Sequence, residues 1–142
     1  MIEILIISAT KGNNLSLAKK IGDYVSINNE IISLEDFEMP LYVPKTKIIK
    51  SDVVKNLSEI FIQSKGFIFC APEYNGGSPP ILTNAITWLS VTTDNWRGAF
   101  VNKKAIIATH SGGAGFKFLT SFRSQLEHLG TIVYPKIINP NH

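Results

Sequence analysis

One pattern constrains this chain more than any other. Short apolar runs alternate with polar or glycine-rich loops and then with helical periodicities. The runs are Ile2-Glu3-Ile4-Leu5-Ile6-Ile7, Ile31-Ile32-Ser33-Leu34, Phe67-Ile68-Phe69-Cys70, Lys103-Lys104-Ala105-Ile106-Ile107-Ala108-Thr109 and Thr131-Ile132-Val133-Tyr134. Strands that are apolar on both faces belong in a sheet buried on both faces. Strict β–α alternation makes that sheet parallel, with helices on either side. Right-handed crossovers leave few topologies, and for five strands the order 2-1-3-4-5 leads.

The intervening segments read as helices. Asn13 and Asn14 supply N-cap chemistry for a helix to about Asn28, with Leu15, Ala18, Ile21 and Val25 at helical spacing. A polar loop with Pro40 and Pro44 leads to a helix from about Ser51, striped by Val53, Leu57, Ile60 and Phe61. Pro79 and Pro80 open the next, where a missing N–H costs least, and Leu82, Ala85, Ile86 and Leu89 form its inner face. A last helix carries Leu119, Phe122, Leu126 and Leu129, with Gly130 placed as its C′ residue.

Composition excludes several classes. The 142 residues suit a single domain spanning 1–142. Cys70 is the lone cysteine, so no intramolecular disulfide framework or cysteine-rich zinc site is possible. No apolar stretch reaches transmembrane length, and no signal-peptide pattern opens the chain. A cytoplasmic protein without membrane association is the expectation. The net charge of +3 comes from scattered lysines and arginines, which form no nucleic-acid footprint.

In an open parallel sheet, ligands bind beyond the carboxyl ends of the strands where strand order reverses. Here the loops after strands one, three and four converge on that point. The first, Ser8-Ala9-Thr10-Lys11-Gly12-Asn13-Asn14, precedes a helix. Its hydroxyls and amides either cap the helix or donate to an anion at the helix N-terminus, with Lys11 adding a point charge. It matches neither the P-loop nor the dinucleotide-binding glycine pattern. The second, Ala71-Pro72-Glu73-Tyr74-Asn75-Gly76-Gly77-Ser78-Pro79-Pro80, pairs glycines that permit close backbone approach with the flat ring of Tyr74. The third, His110-Ser111-Gly112-Gly113-Ala114-Gly115, has more glycine than starting a helix requires. His110-Ser111 lacks the nucleophile elbow of a serine hydrolase. Cys70 reads as a small buried residue at a strand end.

Three ordered segments resemble the NADPH-dependent FMN reductase family of the flavodoxin-like superfamily, over nearly the whole chain. Pro72 to Leu89 looks like its PEYN…P…LKNAIDWL signature, with Thr83 and Thr87 replacing Lys and Asp. Met39-Pro40-Leu41-Tyr42 resembles LPLY, and Ser111-Gly112-Gly113-Ala114-Gly115 with Phe122-Arg123 and Leu129-Gly130 resembles SGGxGG…LR…LG. The first loop is shorter than the family's GSxRxxSxN, and Lys11 stands where Arg is common.

The resemblance implies a flavodoxin-like doubly wound α/β fold. It implies FMN phosphate binding by Ser8, Thr10, Lys11, Asn13, Asn14 and the Leu15 backbone. Pro72, Glu73, Tyr74, Asn75 and Gly76 are then expected at the isoalloxazine ring, with Ser111, Gly112 and Gly113 on the other side; His110, beside the glycine loop, is either a further cofactor-binding residue or an oriented strand-end histidine. Hydride from NADPH or NADH would pass through FMN to a small acceptor: free flavin, a quinone, an azo compound or a metal oxyanion. The flavin carries that chemistry, so no catalytic side chain and no metal are expected. An FMN-binding electron carrier and a non-enzymatic flavodoxin-like binding module are the alternatives. Such carriers are usually acidic, whereas this chain has a pI of 9.0. Trp88, off part of the apolar stripe, and Trp96, in a polar loop, suggest an interface. Family habit implies a homodimer or homotetramer. The chain also stops after strand five without the final helix of a doubly wound fold, so part of one sheet face is expected to be less covered.

Overall fold

The structure, a computed structural model, describes residues 1–46 and 52–140. Among these, strands β1 (Ile2–Ser8), β2 (Asn29–Ser33), β3 (Ser64–Cys70), β4 (Lys104–Ala108) and β5 (Ile132–Val133) form one parallel sheet in the order β2-β1-β3-β4-β5. Ile6 stands beside Ile31 on one side and Ile68 on the other, and Ile68 stands beside Ile106. The helices are α1 (Asn13–Tyr24), α2 (Asp52–Gln63), α3 (Pro80–Thr92), α4 (Trp96–Phe100) and α5 (Phe116–His128). A 3-10 turn, Leu34–Asp36, follows β2. Ser51, the expected start of the second helix, lies outside the described residues.

The two sheet faces are unequal. Helices α2 to α5 bury the larger core, in which Phe61, Phe69, Phe100, Phe118 and Phe122 are fully enclosed. Their rings meet edge-on or stacked: Phe69 and Phe122 lie 5.1 Å apart and Phe118 and Phe122 5.5 Å. On the opposite face α1 packs Leu17 and Ala18 on Ile6, Ile68, Cys70 and Ala108. Ile4 and Ile106 stay partly exposed there, beside a groove of about 400 Å3 that also reaches Ile27, Gly66 and Tyr134.

Several helix faces are shifted from the sequence reading. The buried residues of α1 are Asn14, Leu17 and Ala18 rather than Leu15, and those of α2 include Val54 rather than Val53. In α3, Trp88 is buried with Leu82, Ala85, Ile86 and Leu89, so it is no exposed interface residue. The reason is long-range. Residues Pro40–Tyr42 fold across α3, where the Trp88 indole donates to the Pro40 carbonyl at 2.7 Å and Tyr42 meets the indole edge-on at 5.0 Å. Asn84 clamps the same segment, accepting from the Tyr42 N–H at 2.8 Å and donating to Pro40 O at 3.0 Å. Trp96 opens the short α4 and packs partly against the core.

The end of α5 follows expectation. Gly130 adopts φ 90°. The Gly130 N–H donates to Glu127 O and the Thr131 N–H to Leu126 O, both at 3.0 Å. These paired bonds satisfy the last carbonyls of the helix. They also take Thr131 out of β5, which shortens that strand. The tail then rejoins the sheet, with Ile138 bridged to Ala108 beyond the end of β5.

Candidate functional site

The loops after β1, β3 and β4 leave the sheet side by side. The ladder continues one step past the strands, with Ala9 N–H on Cys70 O at 2.9 Å and Ala71 N–H on Ala108 O at 3.2 Å. All three loops therefore open at the carboxyl edge around one cavity of about 480 Å3. Of the expected site residues, Thr10, Lys11, Asn13 and Asn14 line it from the first loop, Pro72, Glu73 and Tyr74 from the second, and His110, Ser111 and Gly112 from the third. Gly12 lines it too. Ser8, Leu15, Asn75, Gly76 and Gly113 do not form its wall.

In the first loop most polar side chains are committed to the protein. The buried Ser8 hydroxyl donates to Thr10 O at 2.5 Å and shapes the turn. Asn14 does not cap α1. Its amide donates to His110 O and accepts from His110 N–H, both at 3.0 Å, so it stitches α1 to the β4 loop. The N-cap residue is Gly12, and no side chain caps the helix. The amides of the first turn, Asn13 to Leu15, therefore keep their capacity for an outside acceptor. Lys11 is held by the turn after β2. Its ammonium lies 2.7 Å from Asp36, and its main-chain N–H donates to the Glu35 carboxylate. Asp36 raises the lysine's affinity for its proton, by hydrogen bond and then by charge.

The second loop divides in two. Asn75 and Gly76 form the tip of a two-residue hairpin, with φ of 52° and 72° and reciprocal 3.0 Å bonds between Tyr74 and Gly77. Asn-Gly is the preferred pair for that geometry, so these two residues have a local reason to be there. Glu73 is a remote cap. Its carboxylate accepts the Phe118 N–H at 3.0 Å in the first turn of α5, where negative charge is favoured. Its own N–H donates to Ser111 Oγ at 2.9 Å, tying the second loop to the third. The Tyr74 ring is half exposed beside the cavity.

The third loop contains glycines of two kinds. A Cβ on Gly115, at φ 72°, would lie 3.0 Å from the Thr109 side chain, so this glycine serves packing. A Cβ on Gly112 or Gly113 would meet nothing within 4 Å. Gly112 exposes bare backbone in the cavity wall, which a flat ligand can approach closely, and Gly113 follows it in the chain. Thr109 braces the loop through a 2.7 Å bond to Ala71 O, and the Asn139 amide holds Ala114 O at 2.7 Å.

Sequence reading did not anticipate Glu35, Asp36, Thr109 or Asn139. The acidic pair was within reach, because it directly follows the strand that neighbours β1. The role of Asn139 depends on the tail rejoining the sheet, which no local pattern announces.

The fold is shared with several flavoproteins. The NAD(P)H:(acceptor) oxidoreductase FerB of Paracoccus denitrificans superposes with a TM-score of 0.81 at 19% identity, covering 96% of this chain and 78% of that one. The apo form of the NADH:FMN oxidoreductase EMOB gives 0.70 at 16% identity, over 98% and 75%. The general stress protein 14 of Treponema denticola, solved with FMN, gives 0.62 at 20% identity, over 96% and 85%. No curated protein matches the sequence significantly. No helix among the described residues is long and apolar enough to cross a membrane. The family model described as NADPH-dependent FMN reductase matches residues 2–141, and the chain belongs to that family.

Proposed function

We propose that this chain binds FMN in the cavity at the carboxyl edge and works as an NAD(P)H-dependent oxidoreductase toward a small acceptor. The observation that carries the reading is the pairing, around one cavity, of an uncapped helix start with an open glycine backbone. The first suits a phosphate and the second a flat ring. FMN, when bound, supplies the hydride chemistry.

The chain's own residues bind and orient. The first-turn amides of α1 and the Thr10 and Asn13 side chains hold the phosphate end. Pro72 to Tyr74 and Ser111 to Gly113 hold the ring end, where main-chain N–H groups favour charge that develops on the ring during reduction. Ser8, Glu73 and Asn14 act one step back, through the loops they fix. The acceptor class is a free flavin, quinone, azo compound or metal oxyanion, and the donor is NADPH or NADH. A homodimer or homotetramer rests on family habit, since Trp88 no longer argues for it.

Titration with FMN, followed by flavin fluorescence, tests the reading. Saturable binding at micromolar FMN is expected, and its absence would refute the proposal. Oxidation of NADPH or NADH by the loaded protein then separates a reductase from an electron carrier.

A further inference from the structure

Two lysines at the carboxyl edge are in opposite circumstances. Lys11 is paired with Asp36 at 2.7 Å. Lys117 is exposed and makes no ion pair or hydrogen bond among the described residues. It also stands where a cation is locally unfavourable. It is the second residue of α5, whose first turn carries no acid of its own, and positive charge opposes the helix dipole there. The Glu73 carboxylate is spent on the Phe118 N–H. Yet the lysine side chain has a defined seat. A Cβ on Gly76 would stand 3.2 Å from Lys117 Cδ and 3.9 Å from its Nζ, so the stem lies across the bare tip of the Asn75-Gly76 hairpin. That hairpin begins at Tyr74, which lines the cavity and is half exposed. A residue that local physics disfavours and that no neighbour pairs marks a functional position more than a structural one.

Resting on the FMN reading above, we propose that Lys117 selects the second substrate: its ammonium receives an anionic group, a sulfonate or carboxylate, carried by a flat aromatic acceptor at the ring end of the cavity. Tyr74 offers that acceptor a flat apolar wall. Reach decides between acceptor and donor. The hairpin starts at the cavity wall, so Lys117 serves a charge on a small ring held there. The extra phosphate of NADPH sits on the adenosine half of the donor, remote from the nicotinamide that must meet the flavin. Because the ammonium is exposed, the contact has the strength of a surface ion pair and weakens with salt. Lys117 recognises; it transfers neither proton nor electron.

Calorimetric titration of the FMN-loaded full chain and of K117Q tests this without turnover. The probes are naphthalenesulfonate, which cannot accept hydride, and naphthol as its neutral counterpart. K117Q should lose about threefold to fivefold in naphthalenesulfonate affinity at low salt, and the gap should close toward about 1 M salt. Naphthol should bind both proteins equally, and K117R should keep the wild-type preference. NADP+ and NAD+ form the second arm, and their affinity ratio should be the same in K117Q as in the wild type. Equal naphthalenesulfonate affinity in wild type and K117Q overturns the inference. So does an equal loss for both naphthalene probes, which would mean packing rather than charge. A loss confined to NADP+ overturns it too, by assigning the lysine to the donor. If FMN fails to bind the wild type, the FMN reading itself falls; normal FMN binding without the charge preference removes the role of Lys117 alone.

Discussion

The first and third loops border the same cavity but prepare it in opposite ways. The first is rich in polar side chains, yet Ser8, Lys11 and Asn14 spend them on Thr10, Asp36 and His110. The third has almost no side chains at its centre, and its Gly112 and Gly113 face open space. On the proposed reading, binding capacity at this edge lies in main-chain amides more than in the polar side chains that attract attention in a sequence. The side chains set the shape, and the backbone is left for the ligand.

The comparison breaks first at the glycines. Gly112→Val and Gly113→Val should each weaken FMN binding roughly tenfold to hundredfold, because a branched side chain fills the approach to the ring. The melting temperature should hardly move, since the added Cβ meets no protein atom. Unchanged FMN affinity would place the ring elsewhere. Asn14→Ala should cost about 2 kcal/mol in denaturant unfolding, by removing two bonds at a buried side chain and orphaning the His110 backbone groups. A neutral outcome would mean that α1 and the β4 loop are coupled by packing alone.

Glu73→Gln should cost about 1 kcal/mol by discharging the cap on α5, with the loss falling as salt rises. Lys11→Met should change FMN affinity by less than about fivefold, because the ammonium is exposed and already paired. A larger loss would show that the phosphate draws Lys11 away from Asp36. The smallest effect concerns Cys70. Burial pushes its thiol up to about 12, so it stays protonated at neutral pH, and iodoacetamide should leave it unmodified until the chain unfolds.

The sheet was legible because each strand carries its own signature. Two-faced apolar runs such as Phe67–Cys70 read the same in isolation as in the sheet. The convergence of three loops followed from strand order alone. What stayed hidden depends on pairs distant in sequence. Trp88 looked exposed because its cover, Pro40 to Tyr42, lies more than forty positions away. Val54 and Leu17 replaced Val53 and Leu15 because an inner face a fraction of a turn away fits the same stripe. Asn14 read as a cap because capping is local, whereas its partner is ninety-six residues downstream.

The tail that rejoins the sheet has a practical side. Ile138 accepts the Thr109 N–H at 2.9 Å, and the Asn139 amide holds Ala114, so these last residues brace the glycine loop itself. Met1 lies at the far end of the molecule, beside Ser64 and Lys103 at the amino edge of the sheet. The segment around Ile138 and Asn139 therefore sits against the loop that borders the cavity, while a tag joined before Met1 is held a full strand length away. Immobilisation through the amino terminus is accordingly the orientation that leaves the cavity facing solution.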